Sequence, residues 1–439
     1  MKQPLRVGIA GLGTVGASVA RLIARNAESL AMRAGRPMAL TAVCARDRSR
    51  DRGVDLGHAA WHDDPIGLAR DPDVDCVVEL IGGDEGPARA IVEAALGAGK
   101  HVVTANKALL AKHGLGLARL AEERGVALAF EASAAGGVPV VKTLREALAG
   151  NRVSRVSGIL NGTCNYILSR MEAEGLSFAA CLADAQRLGY AEADPTFDVE
   201  GYDTAHKLAI LTSLAFGVAL DPEAIYVEGI SKITPLDLSM ASELGYRIKL
   251  LGVAERTGTG IEQRVHPTMV PRTSALAQVM GVTNAVTIDA DAVGELSLIG
   301  PGAGGDATAS AVIADICDVA SGVVRPAFGI PAGRLAALER APMQRHEGGY
   351  YIRLSVYDRP GSAAGIATRM AQADISLESI IQHRARTADA DPTGRSGAPV
   401  PVVLITYATT EAAIREALAR IDADGHVAEP PQVIRIERE

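Results

Sequence analysis

At 439 residues the chain is too long for one compact core and suits three units of ~150 residues each. With 48% hydrophobic and 22% charged residues it is no disordered chain, and its apolar runs stop well short of the ~18 residues a membrane span needs. A net charge of −8 argues against a nucleic-acid partner.

Residues 1–131 alternate short apolar runs with longer amphipathic ones, the pattern of βαβ units and a parallel sheet. The start of the chain reads as a first strand rather than a signal peptide. Strands are predicted over 5–10, 39–45, 75–80, 101–104 and 127–131, with helices over 15–26, 87–98 and 108–124. Each strand is apolar almost throughout, as when helices cover both faces. The expected fold is a Rossmann-type doubly wound parallel sheet whose ligand crevice lies at the carboxyl ends of its strands.

Residues 132–334 read as an α+β unit. Strands are expected over 153–160, 248–254, 261–267 and 285–290, and helices over 177–188 and 204–216. A glycine run at 300–305 leads into a helix over 307–319 that is expected to return to the first domain. Residues 348–439 form a third unit. The strand 350–357 puts Ile352, Leu354 and Val356 on one face, and Asp358-Arg359-Pro360-Gly361 is a turn. A helix carrying Ile366 and Met370, a strand 375–382, a mobile hairpin loop 387–401 and a strand 402–407 follow. A helix with Ile414, Leu418 and Ile421 on one face and a strand 433–436 complete a ferredoxin-like βαββαβ pattern.

Gly11-Leu12-Gly13-Thr14-Val15-Gly16 follows a strand and opens a helix. That context turns a weak glycine triplet into a dinucleotide-binding signal, with the helix N-terminus facing the phosphates. The second strand ends Val43-Cys44-Ala45-Arg46, where an NAD-specific site usually carries an acid. A guanidinium suits a 2′-phosphate, so Arg46 favours NADP(H). The alternative is a solvated Arg46 with Asp47 bonding a ribose hydroxyl, which keeps NAD(H) open.

Only eight of the 44 basic residues are lysine, so each lysine carries weight. Thr104-Ala105-Asn106-Lys107 closes the fourth strand and brings Lys107 into the crevice where a nicotinamide sits; the plainer reading is a solvated lysine at a helix start. In the segment 189–207, Glu192, Asp194, Asp198 and Glu200 occupy one loop, and Asp203 and Lys207 lie four apart on one helical face. Such carboxylates can hold an ammonium, and Lys207 can give a proton to a developing alkoxide. The plainer reading is a charged loop with a surface ion pair. His206 reads as structural or surface. Residues 131–139 are small and sharply turning, suited to a hinge or to a monovalent cation held by carbonyls and Glu131. Asn161-Gly162-Thr163-Cys164-Asn165 lines a pocket or caps the following helix. Five scattered cysteines, odd in number and lacking a Cys-x-x-Cys pair, predict buried thiols in a reducing cytoplasm and neither disulfides nor a zinc site.

Taken in order, the motifs at 11–16, 104–107, 131–139, 161–168 and 189–207 resemble homoserine dehydrogenase of the single-function bacterial type with a C-terminal ACT domain. The resemblance implies interconversion of L-aspartate 4-semialdehyde and L-homoserine with NAD(P)H, and it assigns substrate binding, catalysis and dimerisation to residues 132–334. It implies Lys207 as proton donor, Lys107 assisting beside cofactor and substrate, and Asp203 in the network around them. Glu192 would bind the substrate amino group, with Asp198, Gly162 and Thr163 around the substrate. The glycine loop, Arg46, Thr104, Asn106, Lys107 and Gly304 would meet the cofactor. Glu131 with the carbonyls of Ala134, Gly136 and Val138 would match a sodium site. The ACT unit implies pairing into a homodimer or homotetramer and an L-threonine effector, or pairing alone. Burial and mutual repulsion would lower the lysine pKa values while the carboxylates raise them, so no net direction is expected. Two other readings are a dehydrogenase of another small amino-acid aldehyde or hydroxy acid, and a non-catalytic amino-acid sensor.

Overall fold

The computed structural model describes residues 3–382 and 399–437. The first sheet is built from β1 (Leu5–Ala10), β2 (Met38–Cys44), β3 (Ala60–His62), β4 (Cys76–Glu79), β5 (His101–Thr104) and β6 (Leu128–Ala129). Their order is β3-β2-β1-β4-β5-β6, all parallel, so the winding direction reverses between β1 and β4. That reversal opens the crevice at the strands' carboxyl ends. The sheet is the expected doubly wound one. β3 and the Pro65–Arg70 helix were not foreseen, because three and six residues are too short to carry a period.

The Gly305–Ser321 helix lies far along the chain but buries Ala309, Val312 and Ile316 in one core with Ile9, Val78 and Val103 of the first sheet. The two parts of the chain are therefore bound by a shared apolar interior as well as by the chain crossing at 131–139.

The second sheet is larger. It contains β7 (Val153–Ile159), β8 (Tyr226–Val227), β9 (Tyr246–Thr257), β10 (Gly260–Pro271), β11 (Thr283–Ala290), β12 (Gly294–Pro301), β13 (Glu347–Tyr357), β14 (Leu377–Gln382), β15 (Pro399–Thr406), β16 (Thr409–Thr410) and β17 (Val427–Ile436). The main order is β12-β11-β7-β9-β10-β17-β13-β15-β14, with β8 beside β10 and β16 beside β13. The last four strands of that order, with the Ser362–Gln372 and Glu411–Ala423 helices, form the ferredoxin-like βαββαβ arrangement. The third unit is not detached: β17 pairs in parallel with β10 through Thr268–Arg435 and Met269–Ile436, making one sheet of both units. Of the loop expected over 387–401, residues 387–398 lie outside the described residues, and 399–401 begin β15.

Candidate active site

The glycine loop leaves β1 with Gly11 at φ +98°, a conformation side chains avoid. A Cβ on Gly11 would meet the Leu80 carbonyl oxygen at 2.4 Å, and one on Gly16 would lie 2.0 Å from the Gly11 oxygen. Gly13 differs: a Cβ there meets nothing within 4 Å. Two glycines thus close the turn, while the third faces open space at the N-terminus of the Thr14–Arg25 helix. This is the cradle a pyrophosphate requires, so the residues fit a dinucleotide.

Arg46, just past β2, is exposed and makes no hydrogen bond or ion pair among the described residues. Beyond it Arg48 and Arg52 each lie 5.5 Å from the Trp61 ring centroid, lining a cleft of about 260 Å³. The Arg52 Nε donates to the Leu12 carbonyl at 3.2 Å, tying this basic cleft to the glycine loop. Sequence reasoning had singled out Arg46 alone as the main contact, because the packing on Trp61 is long-range.

β4 and β5 place a second group in the crevice. Glu79 ends β4 fully buried, and its carboxylate accepts from the amides of Ile81 at 2.8 Å and Gly82 at 3.0 Å and from the Thr104 hydroxyl at 2.6 Å. The Thr104 Oγ1 accepts from the Asn106 amide at 3.0 Å, and the Asn106 side chain donates to the Gly83 carbonyl at 2.6 Å. Asn106 Oδ1 also caps the Lys107–Arg124 helix by accepting from the Leu109 amide. Lys107 is therefore set at a helix start whose geometry is fixed from β4. Sequence reasoning missed Glu79; the signal was an acid closing an otherwise apolar strand.

Lys107 and Lys207 meet at one carboxylate. Asp203, only 3% exposed, takes the Lys107 ammonium on Oδ1 at 3.0 Å and the Lys207 ammonium on Oδ2 at 2.7 Å. Lys207 also donates to the Leu160 carbonyl at 2.7 Å. Asn161, which caps the Gly162–Glu174 helix through Cys164 N at 2.8 Å, donates its amide to Asp203 Oδ2 at 2.9 Å and to Asp198 Oδ1 at 2.8 Å. Burial alone would push the Asp203 carboxyl up, but Lys207 and then Lys107 outweigh it and hold it well below the usual carboxylate range. Asp198 moves the other way, raised by burial and by the neighbouring Asp203 charge. For Lys107 the expected cancellation does not occur: attraction to Asp203 exceeds desolvation and raises its pKa.

Glu192 is exposed in the loop before the Thr196–Val199 helix and adds to the electrostatic pull on Lys107. The Thr163 hydroxyl donates to the Tyr190 carbonyl at 2.7 Å, closing that loop over the helix start. Gly162 lies where a Cβ would meet the Val282 carbonyl oxygen at 2.7 Å. His206 packs edge-on to Phe197, its ring centroid 5.3 Å away, and burial lowers its pKa, in line with a structural role. Gly304, at φ +127°, caps the Gly305–Ser321 helix. Gly305 approaches Thr14 and Ser18 of the first helix so closely that a Cβ would sit 2.9 Å from the Ser18 hydroxyl.

The 131–139 turn carries Ala135 and Gly136 in consecutive left-handed conformations. Glu131 accepts from the amides of Val141 at 3.0 Å and Lys142 at 2.7 Å, and the Val138 carbonyl accepts from Val140 N at 2.8 Å. Burial and then Asp315 push the Glu131 carboxyl up to about 7, and one Asp315 oxygen is buried with no hydrogen bond. The Lys142 ammonium lies 3.4 Å from Asp315 and 2.6 Å from Asp318, and it acts on Glu131 only through its field. This excess of acids suits an added positive charge, and the carbonyls of this turn are hard oxygen donors.

Comparison with known proteins agrees with this geometry. Residues 11–131 match the family model for the homoserine dehydrogenase NAD-binding domain, and residues 139–317 match that for homoserine dehydrogenase. A homoserine dehydrogenase of Neisseria gonorrhoeae is 45% identical over 99% of both chains. The crystal structure of a homoserine dehydrogenase from Thiobacillus denitrificans superposes with a TM-score of 0.92 at 43% identity, covering 99% of this chain and 98% of that one. A hyperthermophilic archaeal homoserine dehydrogenase, solved in complex with NADPH, matches 74% of this chain and all of its own at 27% identity and a TM-score of 0.64.

Proposed function

The chain belongs to the homoserine dehydrogenase family, and on that premise we propose how its residues divide the work. The reaction is the NAD(P)H-dependent interconversion of L-aspartate 4-semialdehyde and L-homoserine in amino-acid biosynthesis. A bound nicotinamide supplies or takes up the hydride. In the reducing direction the aldehyde carbon gains that hydride and its oxygen becomes an alkoxide, which needs a preorganised cation and a proton. Lys207 is the donor. An ammonium has three N–H groups, and Leu160 O and Asp203 occupy two, so the third is left for the substrate oxygen. Lys107 faces the same oxygen and shares its charge, while Asp203 keeps two like-charged ammoniums side by side. Glu192 holds the substrate amino group, Asp198 stands with Asp203 in the polar network around the reacting centre, and Gly162 and Thr163 shape the wall beside the substrate.

The observation that carries this reading is the meeting of Lys107 and Lys207, a hundred residues apart, on the two oxygens of Asp203. The glycine loop takes the pyrophosphate, Thr104 and Asn106 flank the nicotinamide end, and Gly304 approaches it. Arg46, together with Arg48 and Arg52, suits a 2′-phosphate, which favours NADP(H) over NAD(H). A monovalent cation such as sodium would be held by Glu131 and the carbonyls of Ala134, Gly136 and Val138. The C-terminal βαββαβ unit is read as an ACT domain that pairs with a second copy in a homodimer or homotetramer and takes L-threonine as effector. Five free cysteines suit the reducing cytoplasm. Among the described residues no helix is long and apolar enough to cross a membrane.

Lys207→Ala tests the assignment. It is expected to lower kcat for homoserine oxidation at least ~10²-fold, the loss usual for a general acid–base group, while NADPH titration by fluorescence stays unchanged. Turnover that survives nearly intact would remove Lys207 from the proton-transfer role.

A further inference from the structure

Between the two carboxylates of the site lies a side chain that carries no charge. We propose that Asn161 is a positioning residue whose amide group spans Asp198 and Asp203 and sets where both stand relative to Lys107 and Lys207. The inference rests on the roles assigned above to those two acids.

The orientation of the amide is fixed by its own partners. Asn161 is 5% exposed, and its Oδ1 accepts from Cys164 N at 2.8 Å, so Nδ2 must point at the acids. The two protons of Nδ2 go to Asp198 Oδ1 at 2.8 Å and Asp203 Oδ2 at 2.9 Å. For Asp198 this is the only hydrogen bond its carboxylate makes among the described residues. The preceding residue, Leu160, gives its carbonyl to Lys207. One dipeptide leaving β7 thus anchors the proton donor with residue 160 and both acids with residue 161.

The chemistry of the position is narrow. It needs an acceptor toward the helix and two donors toward the carboxylates at once, which among short side chains only Asn supplies. The groups facing Asp198 are Asp203 and Lys207 from the Tyr202–Phe216 helix, Lys107 from the Lys107–Arg124 helix and the buried Cys164 thiol from the Gly162–Glu174 helix. Burial and Asp203 oppose the ionisation of Asp198, and Asn161, Lys207 and Lys107 favour it. Without the amide the two acids face each other across a gap with no donor between them.

Asn161→Asp and Asn161→Ser separate positioning from capping, because Asp and Ser are both good helix caps while neither offers two donors. The full-length chain is assayed for homoserine oxidation with NADP from pH 5.5 to 9.5, beside NADPH titration and thermal melting. Hydrogen bonds to charged groups are worth roughly 10- to 100-fold. Asn161→Asp is therefore expected to lower kcat/KM about 100-fold at pH 7, chiefly through KM for homoserine. It should also move the acid limb of the kcat/KM profile up by about one pH unit, since that limb reports groups of the free enzyme. Asn161→Ser is expected to lose about 10-fold with a smaller move of the limb. NADPH affinity stays within about twofold in both. If Asn161→Asp does not fold, the serine variant decides alone. An acid limb that stays at its wild-type pH in the folded variants overturns the proposal, whether activity is kept or falls together with melting temperature. Asp198→Asn is run in parallel. No effect there would withdraw the role of Asp198 and the inference with it, whereas a large effect there with none at Asn161 would overturn the inference alone.

Discussion

Replacing Asp203 by Asn keeps the shape of the side chain and removes the charge on which the site is organised. The native carboxylate is 3% exposed and takes Lys107 at 3.0 Å, Lys207 at 2.7 Å and the Asn161 amide at 2.9 Å. Removing one partner of a buried ion pair costs about 3–5 kcal/mol. The Lys107 side chain is 36% exposed, so water screens its share, and the lower end, about 3 kcal/mol, is expected. The dependence on pH has a definite sign. The folded-state pKa of Asp203 is depressed, so its contribution is fully present above the unfolded carboxylate value of about 3.9 and is lost only as pH falls toward the folded value. The difference in stability between wild type and Asp203→Asn should therefore be flat from pH 8 to about 5 and shrink below about pH 4. In catalysis the two ammonium groups lose the carboxylate they share, with Asp198 and Glu192 the acids left near them, and Lys107, whose pKa Asp203 holds up, sheds its proton more readily. The expected result is a fall in kcat of about 100-fold and an alkaline limb of the rate profile displaced to lower pH. Urea unfolding across that pH range and initial rates of aspartate-semialdehyde reduction at saturating NADPH, the direction in which the donor must be protonated, measure both. A variant as stable as wild type at pH 7, with its alkaline limb unmoved, would refute the central place given to Asp203.

Gly13→Ala and Gly16→Ala should part company. Gly13 has φ −75° and open space, so its variant melts like wild type without cofactor but loses NADPH affinity at least about 10-fold by fluorescence titration; Gly16→Ala must move the Gly11 carbonyl and lowers the melting temperature itself. Lys249, 1% exposed, donates to Asn165 Oδ1 at 2.9 Å and to the Val279 carbonyl, and burial pulls its pKa down to about 7. Between that value and the ordinary 10.5 the unfolded chain binds more protons, so stability rises with pH there by at most about 1.4 kcal/mol per unit. Lys249→Met should remove that slope in denaturation midpoints taken at pH 7, 8 and 9, and an unchanged slope would assign it to other groups. Arg46→Ala should weaken NADPH far more than NADH; equal losses would withdraw the 2′-phosphate argument.

Much of the site could be read from local pattern. The glycine loop declares itself by strand, spacing and helix, and the two lysines stand out because the chain otherwise spells positive charge as arginine. What pattern could not give was contact between distant segments. Nothing near Glu79 announces that it will hold Thr104, twenty-five residues on. Asn161 was legible as a helix cap or a pocket residue but not as a bridge between two acids, because both lie some forty residues later. The direction of the Lys107 shift depends on one distance to Asp203, and opposing terms of similar size cannot be ordered without it. The pairing of β17 with β10 involves two residue pairs across more than 160 residues of chain, too few to leave a periodic trace.

That short seam has a mechanical consequence. Past β17, Glu437 is gripped by Arg264 at 3.0 Å and Arg155 at 2.8 Å, and the buried Arg435 pairs with Glu411 and Glu228. Glu228 belongs to a strip that is tied to Val265 on one side and, through Ile230, to Val199 beside Asp198 on the other. Residues 435 and 437 therefore act as a splice: without their ion pairs the strip that backs Val199 and the short helix carrying Asp198 goes slack, while the dinucleotide end of the molecule keeps its own support.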